Sequence, residues 1–255
     1  IEPALAGFLY LKYGAHNCFL TNFISFIPGT GSIAALSFPK DKFTVQKSKS
    51  KAKFKEALDY LAENKPIATV IWIAALSSFL VLPYVTLLPV YAKVIFKGDA
   101  ATYGWLNAAI GVGAFAGTFY LASLHKKADF RKILLFNIFL SGASLMFFSY
   151  SHNLYLSLFF AIINGFSSIL QSAVIITIVQ SETADKLRGR VVSLIAMAMF
   201  GMLPLGSLLI GYLAPIVSAP LTLFAEGILG IIIGIVFYKN LINTSLTLKK
   251  TNNGK

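Results

Sequence analysis

The sequence predicts an all-α protein, a bundle of helices that cross a lipid bilayer. Three observations carry that reading. Hydrophobic residues make up 56% of the chain and charged residues only 13%, against roughly 25% charged in soluble domains. The apolar residues come in long uncharged runs near the ~20 residues that span hydrocarbon. The basic residues, finally, gather in every second connection between those runs. A soluble domain of this length would still need polar residues over its outside. Inside lipid each backbone group must be satisfied within its own segment, which selects helices over open strands.

The runs succeed one another with short breaks. Ile1–Leu11 (IEPALAGFLYL) reads as the later part of a span, and the chain lacks an initial Met and a secretory signal, as expected of a piece whose beginning lies upstream. Asn17–Phe38 is a second run, weakened by Pro28-Gly29-Thr30-Gly31. Residues 39–66 form a connection with structure of its own. Within Lys51–Glu63 (KAKFKEALDYLAE), Phe54, Ala57, Leu58 and Leu61 fall at helical spacing. That pattern fits a short amphipathic helix at the cytoplasmic membrane surface, or equally a solvated linker helix. Ile67–Ala92 is uncharged and carries Pro83 and Pro89. Tyr103–Leu124, Ile133–Tyr150, Leu154–Val179 and Val191–Ala214 are uncharged as well, and Leu221–Tyr238 contains one acid, Glu226. The expected organisation is residues 1–38, the connection 39–66, a six-helix domain at 67–240, and a flexible tail at 241–255.

The loops set the orientation. Lys40–Pro66, His125–Lys132, Glu182–Arg190 and the tail after Tyr238 hold 19 of the 22 Lys and Arg residues; the alternate connections hold only Lys12, Lys93 and Lys97. The positive-inside rule places the first group in the cytoplasm. The net charge of +12 is therefore topological, and no nucleic-acid partner is expected. Cys18 is the lone cysteine, which excludes an internal disulfide and a cysteine-based metal site. His16, His125 and His152 lie in separate connections, so no cluster suited to hydrolysis or metal chemistry forms. Neither enzymatic activity nor a cofactor is expected.

Two longer stretches resemble a known family. One is FKEALDYLAENKP followed by LPYVTLLPVYAKVIFKGDAATYGWLNAAIGVGAFAG; the other is VQSETADKLRGRVVSLIAMAMFGMLPLGSLLIGYLA. Both look like the major facilitator superfamily, and within it like the bacterial group of the enterobactin exporter and macrolide efflux proteins. The resemblance implies that Ile1–Leu11 ends helix five, Asn17–Phe38 is helix six, and Ile67–Tyr238 is the whole second six-helix half, with the missing N-terminal half as its partner. The two halves are repeats about an axis along the membrane normal, around a central cavity. Pro3 and Gly7 look like the end of the exporters' antiporter motif, with Glu2 where the family usually has Gly. The implied activity is proton-coupled efflux of a small amphipathic substrate, by alternating access, across a bacterial cell membrane. Because fold does not dictate cargo, an importer or a lipid translocator stays beside it, and a membrane enzyme acting on lipids more remotely.

Candidate site residues are picked out by the cost of polar groups in hydrocarbon. Asn164, Ser168 and Gln171 stand at i, i+4 and i+7, with Ser167 beside them; they read either as cavity lining or as hydrogen-bonding glue between helices. The resemblance adds Asn107 and Tyr84, whose helices are expected to border the cavity. Glu226 is either a carrier of the coupled proton or a peripheral, protonated or snorkelling side chain, since the family places its last helix at the bundle's edge. Gly113/Gly117 and Gly230/Gly234 form GxxxG pairs that permit close helix approach. Pro83 and Pro204 are expected to kink their helices, and Gly206 and Gly211 come after them in the second resembling block. By resemblance, Asp129 and Arg131 in one cytoplasmic loop and Asp185, Arg188 and Arg190 in the next are gating charges, with Asp129 and Arg188 as a candidate pair; plain positive-inside anchoring explains them equally.

Overall fold

The computed structural model describes residues 20, 23–24, 26–32, 50–124 and 128–253. The expected end of helix five, with Glu2, Pro3 and Gly7, lies outside the described residues. Residues 26–32 are helical despite Pro28 and Gly29, and the Thr30 and Ser32 hydroxyls donate to the Phe26 and Pro28 carbonyls at 2.9 and 2.8 Å.

Hydropathy dictates the order of the helices. Helix α1 (Ser50–Glu63) precedes α2 (Lys65–Leu80), which continues as a 3-10 segment (Leu82–Leu87), one α turn (Leu88–Val90) and a π segment (Tyr91–Ile95). Then come α3 (Ala100–Ser123), α4 (Phe130–Tyr150), α5 (Leu154–Glu182), α6 (Asp185–Val217) and α7 (Ala219–Asn253). No strand forms among the described residues. Among the described residues, six stretches are long and apolar enough to cross a bilayer: Lys65–Ile95, α3, α4, α5, α6 and Ala219–Thr244. The all-α membrane bundle expected from the sequence is the fold observed.

Helix ends differ from the hydropathy boundaries in one direction. α5 runs on to Glu182 and α6 begins at Asp185, so Asp185, Arg188 and Arg190, expected in a loop, occupy the first two turns of α6. Arg131, also expected in a loop, sits in the first turn of α4, and α7 continues past residue 241 to Asn253. The reason is that a helix needs backbone hydrogen bonds, not hydrocarbon, and charged turns project beyond the apolar slab. Amphipathic α1 appears as expected, with Ala57 buried and Tyr60 and Leu61 against the core.

Local chemistry sets the starts. Pro66 occupies the first turn of α2, where its missing N–H costs nothing. Asp99 caps α3 by accepting from the Thr102 and Ala101 amides, and Thr102 closes a capping box. Those bonds, the Thr102 amide's foremost, hold the Asp99 carboxyl below the usual carboxylate range. A depressed group stabilises fully above its unfolded value and loses that contribution as pH falls through its folded one. Asp99→Asn, a neutral cap, is therefore expected to blunt the acid-side fall of the melting temperature as pH is lowered toward about 3; identical acid curves for both proteins would refute this role.

The link between α6 and α7 is one residue, Ser218, at φ 123° and ψ 150°, a region that essentially only glycine occupies. Ser218→Gly is expected to stabilise the protein by about 1 kcal/mol, strain relief exceeding the entropy that glycine adds to the unfolded chain. An unchanged or lowered melting temperature would show that the turn is not strained.

Packing pairs the helices through glycines. A Cβ on Gly113 of α3 would collide with the Ile162 carbonyl of α5, one on Gly165 with the Ile110 carbonyl, and one on Gly117 would stand 2.8 Å from the Phe166 carbonyl. Gly142 of α4 meets Gly227 of α7 in the same manner, and Gly206 of α6 meets the Phe79 carbonyl and Pro83. Gly230 lies against Gly142, and Gly234 against the Phe139 ring. Gly211, grouped with the packing residues from sequence, has no neighbour within 4 Å of a built Cβ; it lies on an open face of α6, where spacing alone gives no contact. α2 packs against α5, α6 and α7. Large apolar side chains such as Phe115, Phe119, Phe200 and Leu208 stand exposed on the outside, as lipid requires.

Candidate functional site

Spans this apolar keep polar side chains only where something holds them. Asn164 of α5 is 2% exposed, and its amide donates to the Ser144 hydroxyl of α4 at 3.1 Å. Ser144 in turn donates to the Ser141 carbonyl at 2.9 Å. On its other side the Asn164 carbonyl oxygen accepts from Ser168 at 3.4 Å, and Tyr84, from the 3-10 segment beyond α2, lies near Ser168. A polar thread thus runs Ser144–Asn164–Ser168 between α4 and α5, and Tyr84 adjoins it from a third span.

The sequence-predicted stripe is therefore real but divided. Asn164 is spent on α4, whereas Ser168 and Gln171 are only half-buried. A shared helical face did not mean a shared neighbour, because α4 crosses α5 at the level of Asn164. Tyr84 adjoins the thread, but Asn107 donates to the Tyr103 carbonyl of its own helix at 2.9 Å and stands apart. Sequence reasoning missed Ser144 and Asn137, whose amide donates to the Ser167 carbonyl at 2.5 Å. Isolated Ser and Asn in apolar runs give no signal of which helix they will meet.

Glu226 is 0% exposed, so it neither faces lipid nor snorkels; a protonated side chain and a carrier of the coupled proton, the other readings, both fit that burial. Both of its carboxylate oxygens lack a hydrogen-bond partner among the described residues. The physical reason is that α7 lies in close glycine-to-glycine contact with α4 and also packs on α2, which draws residue 226 inward. Tyr84 and Tyr91 are within electrostatic reach of it. The Tyr91 hydroxyl donates to the Ser149 carbonyl at 3.0 Å, and its ring packs on Phe148 with centroids 5.1 Å apart.

Ion pairs gather at the end of the bundle where α4 and α6 begin and α5 finishes. Arg131, 3% exposed, joins the start of α4 to the end of α5 through Glu182 at 2.5 Å. Its Nε and Nη1 have no hydrogen-bond partner among the described residues. Arg190 pairs with Glu56 and so ties α6 to α1. Arg188 pairs with Asp185 one turn away at 2.5 Å, and Asp129 accepts from the Lys132 amide at 3.3 Å as the cap of α4. The contacts seen for Arg188 and Asp129 are thus to neighbours three residues away on their own helices, which meet without any cost of bringing two loops together. Glu182 and Glu56 were not singled out from sequence, since an acid at a run's end or on an amphipathic helix looks like ordinary solvated charge.

Comparison with known proteins agrees with this architecture. The family described as transmembrane secretion effector matches residues 1–252. A curated relative, the staphyloferrin A transporter of Staphylococcus aureus (strain NCTC 8325 / PS 47), is 28% identical over 259 residues. The match covers the whole of this chain and 63% of the relative's length. No solved structure matches.

Proposed function

Because the chain belongs to the major facilitator superfamily of transporters, we propose that its bundle forms one wall of the cavity of a secondary exporter. Its cargo is a small amphipathic molecule of drug or siderophore type, moved outward across the bacterial cell membrane by alternating access coupled to a proton gradient. A second bundle of like construction closes the cavity from the other side. The description of the family as a secretion effector supports the outward direction. The relative that transports staphyloferrin A supports a small-molecule cargo.

The observation that carries this reading is the half-buried edge of the stripe, Ser168 at the thread's end and Gln171 beyond it. Binding sites for small molecules are mostly apolar, with a few placed polar groups; Asn164 is wholly engaged in packing, whereas Ser168 and Gln171 are only partly covered. Alternating access also needs a helix that changes shape. The span that begins as α2 is already interrupted over 82–95, with Pro83 and Pro89 inside it, and such breaks bend rather than shear. The Arg131–Glu182 and Arg190–Glu56 pairs bind the cytoplasmic ends, so that the bundle moves as a body.

The test is transport by the protein expressed from its gene and reconstituted in oriented vesicles. A panel of siderophores and amphipathic drugs would be offered with and without a pH gradient. Movement from the cytoplasmic face outward, faster with the gradient, is expected. Movement of any cargo only inward would replace export by import, and indifference to the gradient would remove proton coupling.

A further inference from the structure

We propose that Glu226 is the proton-binding group, placed behind the cavity wall, and that it acts on the cavity through Tyr84 and Tyr91 on the interrupted part of the α2 span. The inference rests on the proton-coupled reading above and assigns its site.

Geometry carries it. Glu226 sits about two turns into the last span, wholly buried, with neither carboxylate oxygen bonded among the described residues. Gly230 is one turn further along the same face; a Cβ there would meet Gly142 of α4 and stand 3.5 Å from Val81. Val81 is the residue at which α2 stops being an α-helix. The carboxyl is thus held at the corner where α4 meets the break. Mid-helix 3-10 and π segments mark functional hinges more often than chance, and this break carries both tyrosines.

The titratable groups that face Glu226 are Tyr84 and Tyr91. Those of α4 are Arg131 and Lys132 at its start and Tyr150 at its end. Those of α6 are Asp185, Lys186, Arg188 and Arg190 in its first turns, and Tyr212, which is exposed. On α7 itself, Tyr238 and Lys239 lie three turns away. Among the described residues no cation pairs with Glu226. A lone carboxylate there is costly, and the remedies at hand are a proton or a hydroxyl.

Two states result. With a proton on one carboxylate oxygen Glu226 is neutral, the Tyr91 hydroxyl keeps the Ser149 carbonyl, and Tyr84 stays near Ser168. When the proton leaves, the bare carboxylate draws a tyrosine O–H toward itself. Tyr84 then moves away from Ser168, a residue of the proposed cavity wall, and the break in the α2 span changes its bend. Proton and substrate become linked because each favours a different arrangement of the same segment.

The test needs no knowledge of the cargo. In a Cys18→Ser background, Gln171→Cys reports the cavity wall through its rate of labelling by N-ethylmaleimide, measured across pH. With Glu226 present, that rate is expected to change about tenfold across the titration; with Glu226→Gln it stays flat. The infrared band of a protonated carboxyl, present in the parent, disappears in Glu226→Gln. Tyr84→Phe keeps the band but loses the pH response of labelling, which a purely structural tyrosine would not do. It also serves if Glu226→Gln melts early. A pH response that persists in Glu226→Gln overturns this inference and leaves proton coupling standing on another group. A parent that shows neither band nor response overturns the inference, and the vesicle assay then decides separately whether transport is coupled to protons at all.

Discussion

Gly165→Leu is expected to remove most of the folded protein. A Cβ at Gly165 would enter the space of the Ile110 carbonyl, and Gly113 and Gly117 repeat the arrangement within about two turns of the α3–α5 contact. Overpacking a core usually costs 1–3 kcal/mol, because side chains can move aside. Here the obstacle is backbone locked into a helix, so the two spans must separate along their length. The cost should exceed about 3 kcal/mol. In membranes, where helices associate through close packing rather than through a hydrophobic drive, nothing else replaces that contact. Gly211→Leu is the matched control. No neighbour lies within 4 Å of its built Cβ, and a change within about 0.5 kcal/mol is expected. Thermal scans of detergent-solubilised protein, read by size exclusion, compare the two. Equal melting temperatures for both variants would show that the glycine contacts do not hold α3 to α5.

Glu182→Gln should rank second. The pair with Arg131 is asymmetric: the arginine is 3% exposed and the glutamate 25%. Two further guanidinium nitrogens have no partner among the described residues. Removing the carboxylate leaves a buried cation uncompensated, which in other buried pairs costs about 3–5 kcal/mol; the glutamate's partial exposure points to the lower end. Replacing both partners, Arg131→Met with Glu182→Leu, should recover most of that loss, since an apolar pair leaves no charge stranded. Arg188→Met, by contrast, removes an exposed i,i+3 pair with Asp185 and should change stability by less than about 0.5 kcal/mol. A double-mutant cycle on melting temperature checks all three. If the double variant is as unstable as Glu182→Gln alone, the loss lies in shape rather than in stranded charge.

The spans were legible because hydrocarbon makes a severe demand that a single sequence must meet by itself. Each of the runs from Ile67 to Tyr238 appears as a helix, and α1 was visible in the spacing of Ala57 and Leu61. Helix ends were less legible. Asp185 and Arg190 looked like loop because charge marks the edge of the lipid, whereas backbone bonding marks the edge of the helix. Among the site residues, the stripe Asn164, Ser168 and Gln171 was correctly seen as one face, and only contact with Ser144 separated the packing residue from its neighbours.

Glu226 shows the division most clearly. Sequence alone determined that a carboxyl lies inside a membrane span, because run length and the absence of other charge are properties of a linear string. The alternation of lysine and arginine from loop to loop is likewise a property of the string. Which way the carboxyl points was decided only when Gly142 and Gly227 let α4 and α7 touch and turned residue 226 toward the break in the α2 span. Direction around a helix is set by which neighbours pack against it, and those neighbours are distant in the chain.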